Sequence, residues 1–240
     1  MTKRIQEQLD YFKYDGGPVR FGVGTILVMI LSVLLITMAT FTEFEFKHFI
    51  IPMDLFPKWS YYFTDAGVNG DGFVKYVKYI PQVPAIFFIL GLLDRKYTMI
   101  TVCLYIVLGF SGYPIFAMGG GWRYIFQYGV GYIFSYIPAI FFAGMVMDRN
   151  YTVKNVVKSV LAGVLIINII GGLILLIIAF LKHENWLMIK NLLYSMGGFK
   201  FFYDVVFSII AVYLGMLVKR FLWPVLTRVQ HKSNISEEQQ

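Results

Sequence analysis

The chain has 240 residues, of which 58% are hydrophobic and only 15% charged, and its charges gather between long apolar blocks, so a soluble globular domain is excluded and a polytopic membrane protein indicated. A formal net charge of +7 would point to nucleic acid in a soluble chain. Here the basic residues stand at the ends of apolar segments, where they set topology, and no nucleic-acid partner is expected.

In chain order, residues 1–20 mix Lys3, Arg4, Lys13 and Arg20 with acids and end at Gly16-Gly17-Pro18, a short cytoplasmic arm. Phe21 to Thr42 carries no charge and is long enough, at about 1.5 Å per residue, to cross a hydrocarbon core of roughly 30 Å. It exceeds a signal-peptide core and no small-residue cleavage site follows, so it is expected to be a retained first span. Residues 43–79 are polar and aromatic and read as a long extracytoplasmic loop. Within it, Asp65 to Gly72 is turn-rich, and with Asn69, Asp71 and Gly72 at the third, fifth and sixth places of a calcium loop, the opening acid and the closing glutamate are missing. An ordinary turn is the plainer reading of that stretch.

Five further spans follow as Ile80 to Leu93, Tyr97 to Met118, Tyr124 to Met147, Ser159 to Leu181 and Phe201 to Val218. The second is short and opens with Pro81 and Pro84, which suggests irregular backbone beside a cavity, because such backbone survives at membrane depth only where protein or water covers it. Pro-Ala-Ile-Phe-Phe occurs at Pro84 and again at Pro138, and Asp-Arg-x-Tyr-Thr at Asp94 and again at Asp148. Either a helix and its turn have been duplicated, or two similar turns have met the same needs. Trp186, Ile189, Leu193 and Met196 lie at helical spacing before Gly197-Gly198 and predict a short helix on the membrane surface. The tail from Lys219 is polar from Ser233 onward and is expected to have no fold of its own. Basic residues are denser in the segments that face the cytoplasm if the amino terminus does, Arg95, Lys96, Arg149, Lys219 and Arg220 among them, so both termini are expected inside. The architecture expected is an all-α, six-helix membrane domain over 21–218 with a cytoplasmic tail over 219–240.

That topology brings the unusual residues to the outer face. A glycine triplet, Gly119, Gly120 and Gly121, allows close backbone approach, and Arg123 beside it is suited to a carboxylate. A tight turn with an interfacial arginine is the alternative. Asp204 is the sole acid inside an expected span, one turn into the sixth. Intramembrane acids are costly and point to a site, although an acid in a first helical turn also complements the helix dipole. Asn168 reads as a hydrogen bond between helices. Catalysis has no framework: Gly-x-Ser-x-Gly, His-Glu-x-x-His, Cys-x-x-Cys and the Walker A pattern are all absent, and His48, His183 and His231 are scattered. A single cysteine, Cys103, excludes an intrachain disulfide. No metal or cofactor is expected.

Ile80-Pro81-Gln82-Val83-Pro84, then Tyr105-x3-Gly109-x2-Gly112-x-Pro114-x-Phe116, then Tyr124-Ile125-Phe126-x4-Gly131-Tyr132 resembles the BioY family, biotin-specific substrate-binding (S) components of energy-coupling factor (ECF) transporters in the bacterial cytoplasmic membrane. The resemblance runs from about Ile80 to Lys219. It implies a six-helix subunit that binds biotin near the outer face and is driven by a transmembrane coupling (T) protein and two ATPases. The family's Pro-Gly-Asp-x-x-Lys segment stands here as Phe202-Tyr203-Asp204-Val205-Val206-Phe207, which keeps the aspartate and replaces the lysine by Phe207. Its Gly-Pro-Thr-Gly-Gly-Tyr segment keeps only Gly131-Tyr132, the first span lacks an Ala-x-x-x-Ala docking face, and the 43–79 loop is an addition that could cover the site. The site implied comprises Asp204, Arg123, Tyr128, Gln82, Gly119, Gly120, Gly121 and Tyr132. Arg123 would pair the carboxylate, Asp204 would accept from a ureido N–H, and aromatics would cover the ring system. Two alternatives stay open: the same fold for another small carboxylate, and a membrane assembly subunit without ligand or outer cavity.

Overall fold

The computed structural model describes residues 22–49, 74–148, 152–198 and 200–237, with 47–49, 74–77 and 222–237 described as backbone only. The expected arm over 1–20 and the calcium-like turn lie outside the described residues. The elements are α1 (Val23–Phe41), β1 (Phe44–Phe49), β2 (Val74–Tyr79), α2 (Gln82–Phe110), a 3-10 turn (Trp122–Phe126), α3 (Val130–Met147), α4 (Val153–Leu181), α5 (Trp186–Met196) and α6 (Lys200–Glu237).

Among the described residues, Val23–Phe41, Val130–Met147, Val153–Leu181 and a window within Trp186–Phe221 are each long and apolar enough to cross a membrane. Their outward faces stay apolar: Leu31, Leu34, Leu165, Leu173 and Leu214 are all about half exposed or more. Apolar side chains both inside and outside the bundle suit a hydrocarbon solvent.

α2 accounts for the second and third expected spans. Its helix breaks at Asp94, whose φ of 63° and ψ of 173° are not helical. The buried Thr98 hydroxyl lies 3.1 Å from the Ile89 carbonyl and 2.6 Å from that of Asp94, so it donates to backbone oxygens that the break would leave unpaired. The two arms run antiparallel, since Gln82 meets Tyr105 at one end and Ile89 meets Thr98 near the other.

The first arm is the centre of the molecule. Val83, Ile86, Phe87, Ile89 and Leu90 are at most 1% exposed, which explains a short arm that is apolar on every side. α6 lies parallel to this arm, because Tyr79 bonds Asp204 and Asp94 bonds Lys219 with the same separation of 125 residues. The contact is close: a Cβ on Gly91 would come within 2.4 Å of the Val212 carbonyl, and one on Gly215 within 2.2 Å of that of Phe88. α3 is also parallel to the arm and in register with it. Gln82 bonds Tyr136, its counterpart in the repeated segment 54 residues on, and Arg95 pairs with Asp148 at 3.1 Å at the other end. The two copies of the repeat therefore meet each other at both ends. α4 returns antiparallel to α3, with Ser159 donating to the Ala143 carbonyl at 2.7 Å and Gly171 packed against Tyr132.

Four expected boundaries move. The third span was expected to reach Met118, but helix ends at Phe110 and residues 111–121 form a turn that folds Phe116 into the bundle, fully buried against Tyr105, Phe110 and Tyr124. The fourth span, expected from Tyr124, becomes helical only at Val130. α4 starts at Val153, earlier than expected, because Thr152 caps it by accepting from the Asn155 N–H at 3.3 Å. α6 continues past Val218 as helix to Glu237, where a polar tail without fold was expected. The loop expected over 43–79 holds strands at both ends: β1 pairs antiparallel with β2, Phe44 opposite Tyr79 and Phe49 opposite Val74. The alternation Phe44-Glu45-Phe46-Lys47 is the period-two pattern of a half-buried strand. The short surface helix expected after Lys182 is present as α5, started by Asn185.

Candidate ligand site at the hairpin end of the bundle

The carboxyl ends of α1, α4 and α5, the start of α2, α3 and α6, and the base of the hairpin meet at one end of the bundle. A cavity of about 160 Å³ opens there, lined by Lys78, Ile80, Gln82, Ala117, Tyr124, Gly129, Tyr132, Ile133, Tyr136, Ser195, Met196 and Lys200. The lining residues mix aromatic and aliphatic side chains with tyrosines, a serine, a glutamine and two lysines, the mixture expected of a pocket for a small polar solute.

Gln82 anchors the polar floor. Its Nε2 donates to the Tyr105 hydroxyl at 3.0 Å, and its Oε1 accepts from the Tyr136 hydroxyl at 2.8 Å. Tyr105 in turn lies 3.3 Å from the Thr40 hydroxyl and 3.2 Å from the Ile115 carbonyl. The floor thereby ties α1, both arms of α2, the 111–121 turn and α3 into one hydrogen-bonded layer. The prolines predicted irregular backbone here, and the effect is to start the first arm at Gln82 with its side chain turned inward, buried and bonded.

Asp204 is buried, but it does not line the cavity. Its Oδ1 accepts from the Tyr79 hydroxyl at 3.0 Å. Burial first, and the Asp204 carboxylate second, hold the Tyr79 phenol far above its usual range, so it remains a donor. Around this bond sits an aromatic cluster: Phe46 stacks on Tyr203 with centroids 4.6 Å apart, and Tyr79 lies 5.5 Å from both Tyr203 and Phe207. Phe207, standing where the BioY pattern has lysine, thus packs against the base of the hairpin.

Of the other expected site residues, Tyr132 lines the cavity with Gln82, while Arg123, Tyr128 and the glycine triplet do not. Arg123 is exposed, its guanidinium 5.8 Å from the Trp122 ring centroid. Tyr128 donates to the Glu184 carboxylate, which holds its phenol above the usual range, and the Lys182 ammonium lies 4.1 Å over its ring, so the loop before α3 is fastened to the α4–α5 corner. The triplet serves its turn: Gly119 and Gly121 have φ of 105° and 89°, and a Cβ on Gly120 would fall 2.0 Å from the Tyr113 carbonyl.

Lys78, Lys200, Tyr124, Tyr136 and Ser195 were not expected in the site. Two signals in the sequence bear on them. Tyr136 is the repeat counterpart of Gln82, and Lys200 stands one helical turn before Asp204. Among the described residues no group of His, Cys, Asp or Glu could hold a metal ion.

Residues 72–223 match the BioY family, a stretch that begins just before β2 and covers the lining of the cavity. The chain belongs to the BioY family. No curated protein matches it. The fold of this BioY chain is similar to the crystal structure of the S-component for biotin from an ECF-type ABC transporter, with a TM-score of 0.56 and 16% identity, over 92% of this chain and 95% of the other. At that identity the likeness is one of fold, and α1 and β1 of this BioY chain lie outside the family match.

Proposed function

We propose that this BioY chain is the substrate-binding subunit of an ECF-type vitamin transporter, a transport protein without catalytic activity of its own, and that it takes up biotin. The observation that carries the reading is the cavity with its Gln82, Tyr132 and Tyr136 lining and two lysines, at the end of a bundle that belongs to this family. In this reading the chain spans the bacterial cytoplasmic membrane six times, with α2 folding back at Asp94 to supply two of the crossings. Both termini are cytoplasmic and the cavity is extracytoplasmic. Gln82, Tyr132 and Tyr136 hold the polar ring of the ligand, Asp204 supports the site from behind, and Arg123, Tyr128 and the Gly119–Gly121 turn frame the approach.

Concentrating a solute needs an energy source, and this sequence has no Walker A pattern. The proposed partners are therefore a transmembrane coupling protein and two ATPase subunits. The structure with the similar fold is named as the S-component for biotin from an ECF-type ABC transporter, which supports this reading. A second reading, in which the ligand is another small carboxylate, is favoured by Phe207 standing in the place of the family lysine. The reading as an assembly subunit without ligand predicts no cavity at this end, and the cavity counts against it.

The test is binding of labelled biotin to the purified chain in detergent, alongside a thermal-shift screen of vitamins, because a ligand that binds only the folded state raises its melting temperature. Saturable biotin binding is expected. A screen in which biotin gives no shift and another small carboxylate does would replace the first reading by the second.

A further inference from the structure

We propose that the inserted β1–β2 hairpin supplies half of a carboxylate subsite, with Lys78 from β2 and Lys200 from α6 as the two cations that hold the acid group of the ligand. The inference rests on the reading of this cavity as a biotin site and assigns the groups that meet the ligand's acid.

Lys78 and Lys200 both line the cavity, one from each element that meets over it. Lys200 enters from the first turn of α6, one turn above Asp204. Lys78 is the residue before Tyr79, so wherever Tyr79 is fixed, Lys78 is fixed beside it. Tyr79 is fixed firmly: it is fully buried, bonded to Asp204, and packed on Tyr203 and Phe207. Alternation along β2 turns Lys78 to the opposite side from Tyr79. In this arrangement Asp204 is a positioning residue. It holds the hairpin base, and the hairpin holds a cation at the cavity. The replacement of the lysine by Phe207 then fits the insertion, since the aromatic ring seats the strand that brings a new lysine.

Lys78 has partners of its own, Glu43 at 3.5 Å and Glu45 at 4.0 Å, with all three side chains more than half exposed. Exposed pairs of that length are weak and screened by salt, so an entering carboxylate can displace them.

The experiment compares biotin with biotin methyl ester, which keeps the rings and loses the charge, on the purified full-length chain. The unaltered chain is expected to bind the acid about tenfold or more tighter than the ester at low salt, the range of a charge-assisted hydrogen bond. Lys200→Met is expected to remove most of that preference and Lys78→Met about threefold of it, being more exposed, while ester affinity stays the same. Lys200→Arg should restore most of the preference, and Lys190→Met, on the surface of α5, should leave it intact. A preference unchanged in both methionine variants, or an unaltered chain that binds acid and ester equally, overturns this inference and leaves the biotin reading standing. A chain that binds neither compound overturns both.

Discussion

At the scale of single residues, Asp204 is a buried carboxylate whose donor is already in place. Asp204→Asn keeps an oxygen for the Tyr79 hydroxyl, whereas Asp204→Ala and Tyr79→Phe each leave a buried polar group without its partner. The alanine and phenylalanine variants should lose about 1–3 kcal/mol of stability and the asparagine variant less, as read by thermal unfolding in detergent. Equal losses in all three would show that charge, not the acceptor oxygen, is what Tyr79 requires. Gln82 is the stronger candidate for ligand affinity, since it lines the cavity and orders two hydroxyls at once. Gln82→Leu should weaken biotin binding by about tenfold or more, equivalent to ~1.4 kcal/mol or above, because Tyr105 and Tyr136 then compete for other partners. Titration of labelled biotin measures it.

Between elements, packing depends on missing side chains. α6 approaches the first arm of α2 so closely at Gly91 and Gly215 that a methyl group at either would strike backbone. Gly91→Ala and Gly215→Ala should each cost about 1–3 kcal/mol through overpacking, seen as a lower unfolding temperature with cavity residues untouched. Affinity should fall less than stability, since neither glycine lines the cavity. At the opposite end of the arm, Lys219 Nζ reaches both Asp94 oxygens at 2.6 and 2.5 Å, and Arg95 meets Asp148. These pairs hold α2, α3 and α6 together where the backbone of Asp94 leaves the helix. Removing a single partner, as in Lys219→Met, takes the closest cation from a half-buried acid and should destabilise more than most surface charge changes.

For the whole molecule, the proposed sidedness is open to direct measurement. With Cys103 replaced by alanine, a cysteine introduced by Ser233→Cys should react with a membrane-impermeant thiol reagent only from the cytoplasmic face. Labelling in intact cells from outside would invert the topology and place the cavity on the wrong side for uptake. Energy supply gives a second test. Cells that produce this chain with a coupling protein and ATPases should accumulate labelled biotin, and an ATPase variant lacking its Walker A lysine should abolish accumulation while the chain itself still binds.

The apolar helices, their order, the break at Asp94-Arg95-Lys96, the short helix α5 and the family resemblance were all legible in the residues, because bilayer solvation imposes long apolar runs and local patterns carry helix starts and stops. Asp204 as an acid within the sixth span was legible too, since acids at that depth are rare, and it is buried. Which side chains share the cavity was not. Arg123 and the glycine triplet looked like a ligand corner from their adjacency, yet the turn consumes the glycines' conformational freedom and leaves the guanidinium over Trp122. Lys78, Lys200, Tyr136 and Ser195 come from four separate elements. Their meeting depends on the register of the hairpin against α6 and of α3 against the first arm of α2, which is set by close packing and by hydrogen bonds between residues far apart in sequence.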